Sequence, residues 1–136
     1  MNGHNNWNVI YSSICFMEQV LSTHTSVSSF DRENDIQFHV VRTGDLSDLN
    51  IVFVDEYQLG EASAYEIIKE FSGVEVIVNN GNWNQILFDW RQFADRTGVV
   101  VLKVADFMGA INVKDLRKYV TRDEREERSR KRRKSS

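Results

Sequence analysis

The stretch NIVFVDEYQ, residues 50–58, joins four consecutive apolar residues to a pair of acids. Residues 51–54 have the length and β-branched content that predict a buried strand. Asp55 and Glu56 follow at its carboxyl end, where a strand delivers side chains to the rim of a sheet. Two interpretations stay open: these acids bind something at the rim, or they are the solvated end of a strand.

Upstream, the sequence predicts a helix and an antiparallel partner for this strand. Apolar residues recur at helical spacing over 7–23. Residues 24–34 are polar and predict a connecting turn. Residues 35–42 alternate between apolar and polar, as a half-buried strand does, and residues 43–50 return the chain into 51–54 as a hairpin. The apolar stripe of the helix is Trp7, Ile10, Ile14, Met17, Val20 and Leu21.

Downstream, helices and strands alternate. Ser63 and Glu66 have the spacing of a capping box and predict the start of a helix. The whole order is α–β–β–α–β–α–β, an α/β fold whose mixed sheet is flanked by helices, because its later strands are too apolar to face water. The elements in this half are helices over 64–71 and 83–96 and strands over 74–78 and 99–104.

The length and composition are those of one globular domain. With 136 residues, 41% of them hydrophobic, the chain can build a single core without disulfides or metals. The single cysteine, Cys15, cannot pair within the chain and fits a reducing compartment. No apolar run approaches the roughly 20 residues of a membrane helix, and no signal peptide is visible. We therefore expect an intracellular protein without a membrane segment, with a flexible lead-in at 1–6 and one domain at 7–120.

The net charge of −3 conceals an uneven distribution. Residues 122–136 carry eight Arg/Lys and four Asp/Glu, a net of +4, whereas residues 1–121 carry nine basic and sixteen acidic residues, a net of −7. Because no apolar residue follows Val120, we expect residues 121–136 to be disordered or a solvated helical extension. The basic end resembles a nuclear-localisation segment, which would direct a eukaryotic protein to the nucleus, and equally suits nucleic-acid phosphates; a solubilising tail is the alternative. Its basic residues are Arg130, Lys131, Arg132, Arg133 and Lys134.

The acids of the hairpin are expected to converge. Asp35 begins one strand, and Asp55 and Glu56 end its antiparallel neighbour, so these ends lie side by side. Converging carboxylates without Cys or His suit a hard ion such as Mg²⁺. Beside a phosphodiester, such an ion polarises the phosphoryl group and activates water. Acids are also common at hairpin ends, so solvated strand ends remain the alternative.

Several segments resemble the restriction-endonuclease-like family, particularly its Mrr-like branch. They are FMEQVL in the first helix, NDIQF and VFVDEYQ in the hairpin strands, the turn NNG at 79–81, the pair FA at 93–94 and a strand that leads to Asp106. The resemblance covers about residues 15–110 and implies that family's α/β fold and a Mg²⁺ site. The metal ligands that it implies are Glu18, Asp35 and Glu56, or Asp55 one register away.

The chain departs from the family at its catalytic lysine. That lysine, thought to orient or activate the attacking water, falls here on Gln58, and an amide brings no positive charge. Lys69, on the next helix, is the residue weighed as its substitute. Glu56, Gln58 and Lys69 are thus the catalytic candidates of an active enzyme.

Three functional hypotheses follow. The first is a non-catalytic, degenerate nuclease-fold domain that acts as a binding or assembly subunit in a nucleic-acid-associated complex. It follows from Gln58, the acidic body and the small size; it needs no cofactor, and it offers a protein partner or a second copy an apolar surface with Trp83 and Trp90. The alternative is an active Mg²⁺-dependent DNA endonuclease in which Gln58 or Lys69 replaces the lysine. A doubly wound domain with all strands parallel is the third.

Overall fold

The computed structural model describes residues 7–81 and 83–135, and the side chains of its last helix as far as Arg133. The lead-in expected at 1–6 and the side chain of Lys134 lie outside the described residues. The helices are α1 (Tyr11–Thr23), α2 (Glu61–Glu70), α3 (Trp90–Thr97), α4 (Val104–Ala110) and α5 (Arg122–Ser135), with a 3₁₀ turn at Leu116–Lys118. The strands are β1 (Val27–Arg32), β2 (Gln37–Arg42), β3 (Leu49–Val54), β4 (Gln58–Leu59), β5 (Val76–Asn79), β6 (Gln85–Ile86) and β7 (Val100–Lys103).

Five strands form one mixed sheet in the order β1-β2-β3-β5-β7. The first two pairs, β1 with β2 and β2 with β3, are antiparallel, whereas β3, β5 and β7 run parallel. The predicted mixed α/β sheet with flanking helices is therefore confirmed, and an all-parallel doubly wound sheet is excluded. Whether the fold is restriction-endonuclease-like stays a prediction.

The strand at the centre of the sheet is the apolar run from which the sequence analysis began. Residues 51–54 have no exposed surface, because β3 pairs on both edges and is covered on both faces. The hairpin is confirmed as well, with Phe38 of β2 opposite Ile51 of β3. The core thus forms around β3, as the β-branched run predicts.

The turn predicted over residues 24–34 is wrong, because these residues contain β1. Only Val27 and Phe30 of this strand are half-buried, and the register with β2 is irregular between Val27 and Ser29. A polar strand at the sheet edge is held by main-chain hydrogen bonds to its one neighbour rather than by an apolar face. Its sequence therefore carries no period of two.

The helix predicted over residues 83–96 begins only at Trp90. The Asp89 side chain caps it by accepting from the backbone amides of Arg91 (3.0 Å) and Gln92 (3.3 Å). Residues before Asp89 instead supply β6, which pairs in parallel with β4 as a separate two-stranded sheet. Ile86 and Leu87 have the spacing of a helical stripe, but Ile86 belongs to β6 and Leu87 follows it.

The other predicted helix starts also shift. The capping box predicted at Ser63 and Glu66 is wrong: α2 begins three residues earlier, after Gly60, without a side-chain cap. The first helix begins at Tyr11 rather than at Trp7, because Asn8 has a positive φ of 64° and turns the chain. Ile10, assigned to the buried stripe, is 62% exposed.

Of the two states expected for the charged tail, the structure has the helix, α5. In the described part of the chain, none of the helices is both long and apolar enough to cross a membrane.

Candidate functional site

The carboxyl ends of the three parallel strands meet at one rim of the sheet. Val54, Asn79 and Lys103, the last residues of β3, β5 and β7, are neighbours in register. Asp55 and Glu56 follow directly after Val54, so both acids stand on this rim. Ligands of α/β sheets bind at such an edge.

The side chain of Asn79 connects the segments that meet at the rim. Its side chain has no exposed surface, and its Oδ1 accepts the backbone N–H of Glu56 (3.0 Å). Its Nδ2 donates to the backbone oxygens of Glu56 (2.9 Å) and Gln85 (3.4 Å). One amide therefore satisfies polar backbone groups on both sides of the rim and joins the end of β3 to β6.

Asp55 is held by amides. Its Oδ1 accepts from Asn84 Nδ2 (2.6 Å) and its Oδ2 from Asn80 Nδ2 (3.3 Å). Asn80 Nδ2 also donates to the Ser13 hydroxyl oxygen of α1 (3.3 Å). The carboxylate thus binds the turn that follows β5 and, through it, the start of the first helix.

Glu56 points to a different amide. Its Oε1 accepts from Asn8 Nδ2 (3.0 Å), and Asn8 reaches it from a left-handed backbone conformation that Asn tolerates better than most residues. Burial raises the pKa of the Glu56 carboxyl; the hydrogen bond from Asn8 opposes that rise and the charge of Asp55 adds to it. Both acids therefore face the rim, each toward its own asparagine partners.

Glu18 and Asp35 do not join this pair; both lie at Arg32. Arg32 Nε is 3.9 Å from Glu18 Oε1, and Arg32 Nη1 is 3.8 Å from Asp35 Oδ1. Strand β1 brings Arg32 to this place, and the sequence prediction lacked that strand. The expected convergence of Asp35 with the two rim acids is therefore not observed.

The residues present do not fit the Mg²⁺ site that the resemblance implies. Within 7–81 and 83–135, no group of three or more His, Cys, Asp or Glu side chains is arranged to hold a metal ion. One pair of the proposed ligands lies beside Arg32, and the carboxylates of the other pair accept amide N–H groups. No catalytic step through a metal follows from this geometry.

Gln58 and Lys69, the two candidates to replace the catalytic lysine of the family, lie apart from each other. Gln58 is exposed in β4, opposite Gln85 of β6. Lys69 is exposed in the last turn of α2, eight residues beyond the start of that helix at Glu61, about 12 Å along its axis.

Trp83 and Trp90, expected on one helix, have opposite environments. Trp83 is 85% exposed in the loop before β6, whereas Trp90 is 9% exposed at the start of α3. The prediction of a shared surface is wrong for Trp90, which belongs to the core. Tyr57 and Leu87, beside the two-stranded sheet, are also exposed. We call Tyr57, Trp83 and Leu87 the apolar rim patch.

Helix α5 begins with a capping box that the sequence analysis missed. The Thr121 backbone N–H donates to Glu124 Oε1 (2.9 Å), and the Glu124 N–H donates to Thr121 Oγ1 (3.3 Å). The Asp106 carboxylate of α4 accepts from the Arg122 backbone N–H (2.9 Å). The spacing Thr121-x-x-Glu124 is the signal in the sequence that predicts a helix start here.

Arg91 joins this helix start to the body. Its guanidinium contacts Glu124 with two nitrogens, at 2.5 and 3.0 Å, and donates to the backbone oxygens of Arg117 and Tyr119. It also lies 4.5 Å from the ring centroid of Trp90. Burial alone would raise the pKa of Glu124, but the hydrogen bonds from Arg91 and Thr121 outweigh it and lower that pKa.

A cavity of about 340 Å³ lies beside this joint, lined in part by Trp90, Lys103 and Asp106. Two polar groups of its lining already bind α5: Lys103 Nζ is 3.4 Å from Asp123 Oδ2, and Asp106 accepts from Arg122. The cavity therefore belongs to the attachment of α5.

Beyond its first turn, α5 is polar and largely exposed. Asp123 and Glu124 occupy the first turn, and most of the basic residues lie toward the carboxyl end. This distribution stabilises the helix because each charge lies near the helix end of opposite partial charge. The side chains of Arg130, Lys131, Arg132 and Arg133 are all exposed. The basic cluster of the sequence thus lies on a helix whose first turn is bound to the body.

Comparison with models of protein families, with curated proteins and with solved structures finds no match for this chain.

Proposed function

We propose that this chain is a non-catalytic binding and assembly subunit of a nucleic-acid-associated complex, and that α5 contacts the nucleic acid. The observation that carries the proposal is the charge of α5. Residues 122–136 have a net charge of +4, beside a body of net −7 over residues 1–121. Phosphate neutralisation by Lys and Arg supplies most of the non-specific affinity for nucleic acids. Because the body is acidic, α5 is the positively charged surface that can contact phosphates.

The non-catalytic part of the proposal is supported by the arrangement of the acids. Glu18 and Asp35 form ion pairs with Arg32, while Asp55 and Glu56 accept hydrogen bonds from asparagines. The neutral Gln58 stands where the resemblance implies a lysine.

The assembly part of the proposal rests on the apolar rim patch. An exposed Trp is costly to leave in water, and Trp and Tyr are enriched where proteins contact one another. Trp83 is the most exposed large apolar residue in the described part of the chain. We propose that a protein partner or a second copy covers it.

Fluorescence anisotropy with labelled 20-base-pair duplexes tests the contact with nucleic acid. The variant Arg130→Gln/Arg132→Gln/Arg133→Gln removes three charges from α5. Three exposed lysines of the body, replaced as Lys69→Gln/Lys114→Gln/Lys118→Gln, give a control with the same change in net charge.

We expect the α5 variant to flatten the slope of log K against log[salt] by about 2.7, which is 0.9 for each lost phosphate contact, whereas the body variant leaves it unchanged. Equal effects of the two variants would remove α5 from the contact. No binding by the native chain at low salt would overturn the proposal.

The same basic cluster matches a nuclear-localisation segment. If the chain is eukaryotic, we propose that it enters the nucleus by this route. A fluorescent fusion of the α5 variant, Arg130→Gln/Arg132→Gln/Arg133→Gln, that still accumulates in the nucleus would refute it.

A further inference from the structure

The net positive charge of α5 is greater on one side of the helix than on the others. Arg122, Arg125, Arg130 and Arg133 lie on one side of the helix together with Glu126 and Ser129. We call this side the arginine face. Four arginines and one glutamate give it a net charge of +3.

The remaining positions of the helix carry less net charge. They hold Arg128, Lys131, Arg132 and Lys134 against three acids, a net of +1. Lys131 Nζ lies 3.5 Å from Glu127 Oε1, so part of this charge is paired within the helix. The three acids are Asp123, Glu124 and Glu127.

The arginines of the face form two pairs. Arg122 and Arg125 lie near the base, and Arg130 and Arg133 lie near the far end, each pair at i,i+3 spacing. The two pairs are eight residues apart, or about 12 Å at the rise of an α-helix. The major groove of B-DNA is about 12 Å wide, so the pairs match the separation of its two edges.

The residues between the pairs suit the middle of such a groove. Glu126 and Ser129 lie between the pairs on the same side of the helix, where they would meet base edges rather than phosphates. Arginine binds a phosphate through two parallel N–H groups, which a fixed helix can aim in advance. The capping box and Arg91 supply that fixed base.

Three arginines of the face contact neighbouring side chains at exposed positions. Arg122 Nε is 3.3 Å from Glu126 Oε1, and Arg133 Nη2 is 3.3 Å from the Ser129 hydroxyl oxygen. Arg125 donates to the Tyr119 hydroxyl (3.3 Å). Exposed contacts of this kind contribute little to stability, so exchanging them for contacts with phosphates costs little.

We propose that α5 spans the major groove of double-stranded DNA, with its two arginine pairs on phosphates of opposite strands. This refinement rests on the proposed function, because it names the ligand class and the contact face of the same helix. It differs from a general attraction to phosphate in one respect: the position of a charge on α5 matters, and not only the net charge.

Two variants with the same net charge test this. The face variant, Arg130→Glu/Glu127→Arg, takes one arginine from the face. The control variant, Arg128→Glu/Glu127→Arg, makes the same exchange away from the face. Both lose the contact between Glu127 and Lys131, and both place the new glutamate four residues after another glutamate.

We expect the face variant to bind a 20-base-pair DNA duplex about tenfold more weakly than the native chain does. Its slope of log K against log[salt] should fall by about 1, as the loss of one phosphate contact predicts. The control variant should bind within about twofold of the native chain. Far-UV circular dichroism of both variants checks that the helix persists, and the control reports any cost common to the two exchanges.

The remaining outcomes separate the two proposals. If the native chain binds no nucleic acid, the proposed function fails. If it binds and the two variants bind equally, the proposed function survives and the arginine face is refuted. If single-stranded DNA or duplex RNA of the same length binds as tightly as duplex DNA, the match to the major groove is refuted, because duplex RNA has a deep, narrow major groove.

Discussion

Replacing Asn79 by leucine is expected to destabilise the fold strongly, although the two side chains have similar volumes. Leucine removes all three hydrogen bonds of the buried amide and leaves the backbone N–H and oxygen of Glu56 and the oxygen of Gln85 without that partner. The matched control is Asn112→Leu. Asn112 donates to the backbone oxygens of Met108 (3.5 Å) and Gly109 (3.3 Å) and accepts from the Ser26 hydroxyl, but it is exposed.

The two substitutions differ in whether water can replace the lost amide. An unsatisfied buried polar group costs about 1–3 kcal/mol, while a hydrogen bond that water can replace contributes about 1 kcal/mol net. Since two of the three bonds of Asn79 are short and one is 3.4 Å, we expect Asn79→Leu to cost about 2–4 kcal/mol and Asn112→Leu about 1 kcal/mol or less.

Urea denaturation followed by circular dichroism measures both free energies of unfolding. For a domain of this size each kcal/mol corresponds to a Tm shift of about 3–5 °C, so thermal melts give an independent check. Equal losses of unfolding free energy for the two variants would refute the claim that the buried Asn79 side chain holds the rim together.

Four further outcomes follow from the structure. Hydrogen bonds hold the pKa of Glu124 below its unfolded value of about 4.3, so the carboxylate stabilises the fold above that pH and this contribution is lost as the pH falls through the folded pKa. Thermal melts at pH 3–7 should show this loss of stability. The variant Glu124→Gln should lack this part of the pH dependence. Gly109→Ala places a Cβ 2.5 Å from the Tyr119 hydroxyl oxygen, so it should cost about 1–3 kcal/mol by urea denaturation, and a cost that persists beside Tyr119→Ala would contradict the clash. Acrylamide should quench Trp83 far more than the buried tryptophans, and adding a partner or raising the concentration of the chain should protect it; quenching that Trp83→Phe leaves unchanged would contradict the exposure. Calorimetric titration of Mg²⁺ should show no binding that Asp35→Ala/Glu56→Ala removes, since these acids do not converge; binding that the double variant loses would restore the nuclease hypothesis.

Short-range patterns predicted the central architecture well. The apolar run at 51–54 became β3, and the alternation at 35–42 became its antiparallel neighbour β2. The later apolar runs became the parallel strands β5 and β7. These predictions succeeded because burial on one or both faces of a sheet constrains each strand's own side chains, whatever its neighbours are.

Predictions that depended on exposed or special positions failed. β1 is polar because it lies at the edge, and the start of α3 depends on the capping side chain of Asp89 rather than on the apolar residues before it. The capping box expected at Ser63 was absent, while an equally regular one at Thr121 was overlooked. Cap patterns are short and recur by chance, so the surrounding chain decides which of them form.

The pattern of residues alone was enough to establish a buried central strand, acids at its carboxyl end and a charged, basic terminus, because each follows from the composition of one contiguous segment. Tertiary structure decided which side chains meet. Arg32 reaches Glu18 and Asp35 only because an edge strand carries it there, and Asp55 and Glu56 meet asparagines from distant turns. The physical reason is that a hydrogen bond or ion pair depends on distances of a few ångströms between segments far apart in the chain, and the pairing of the strands sets those distances.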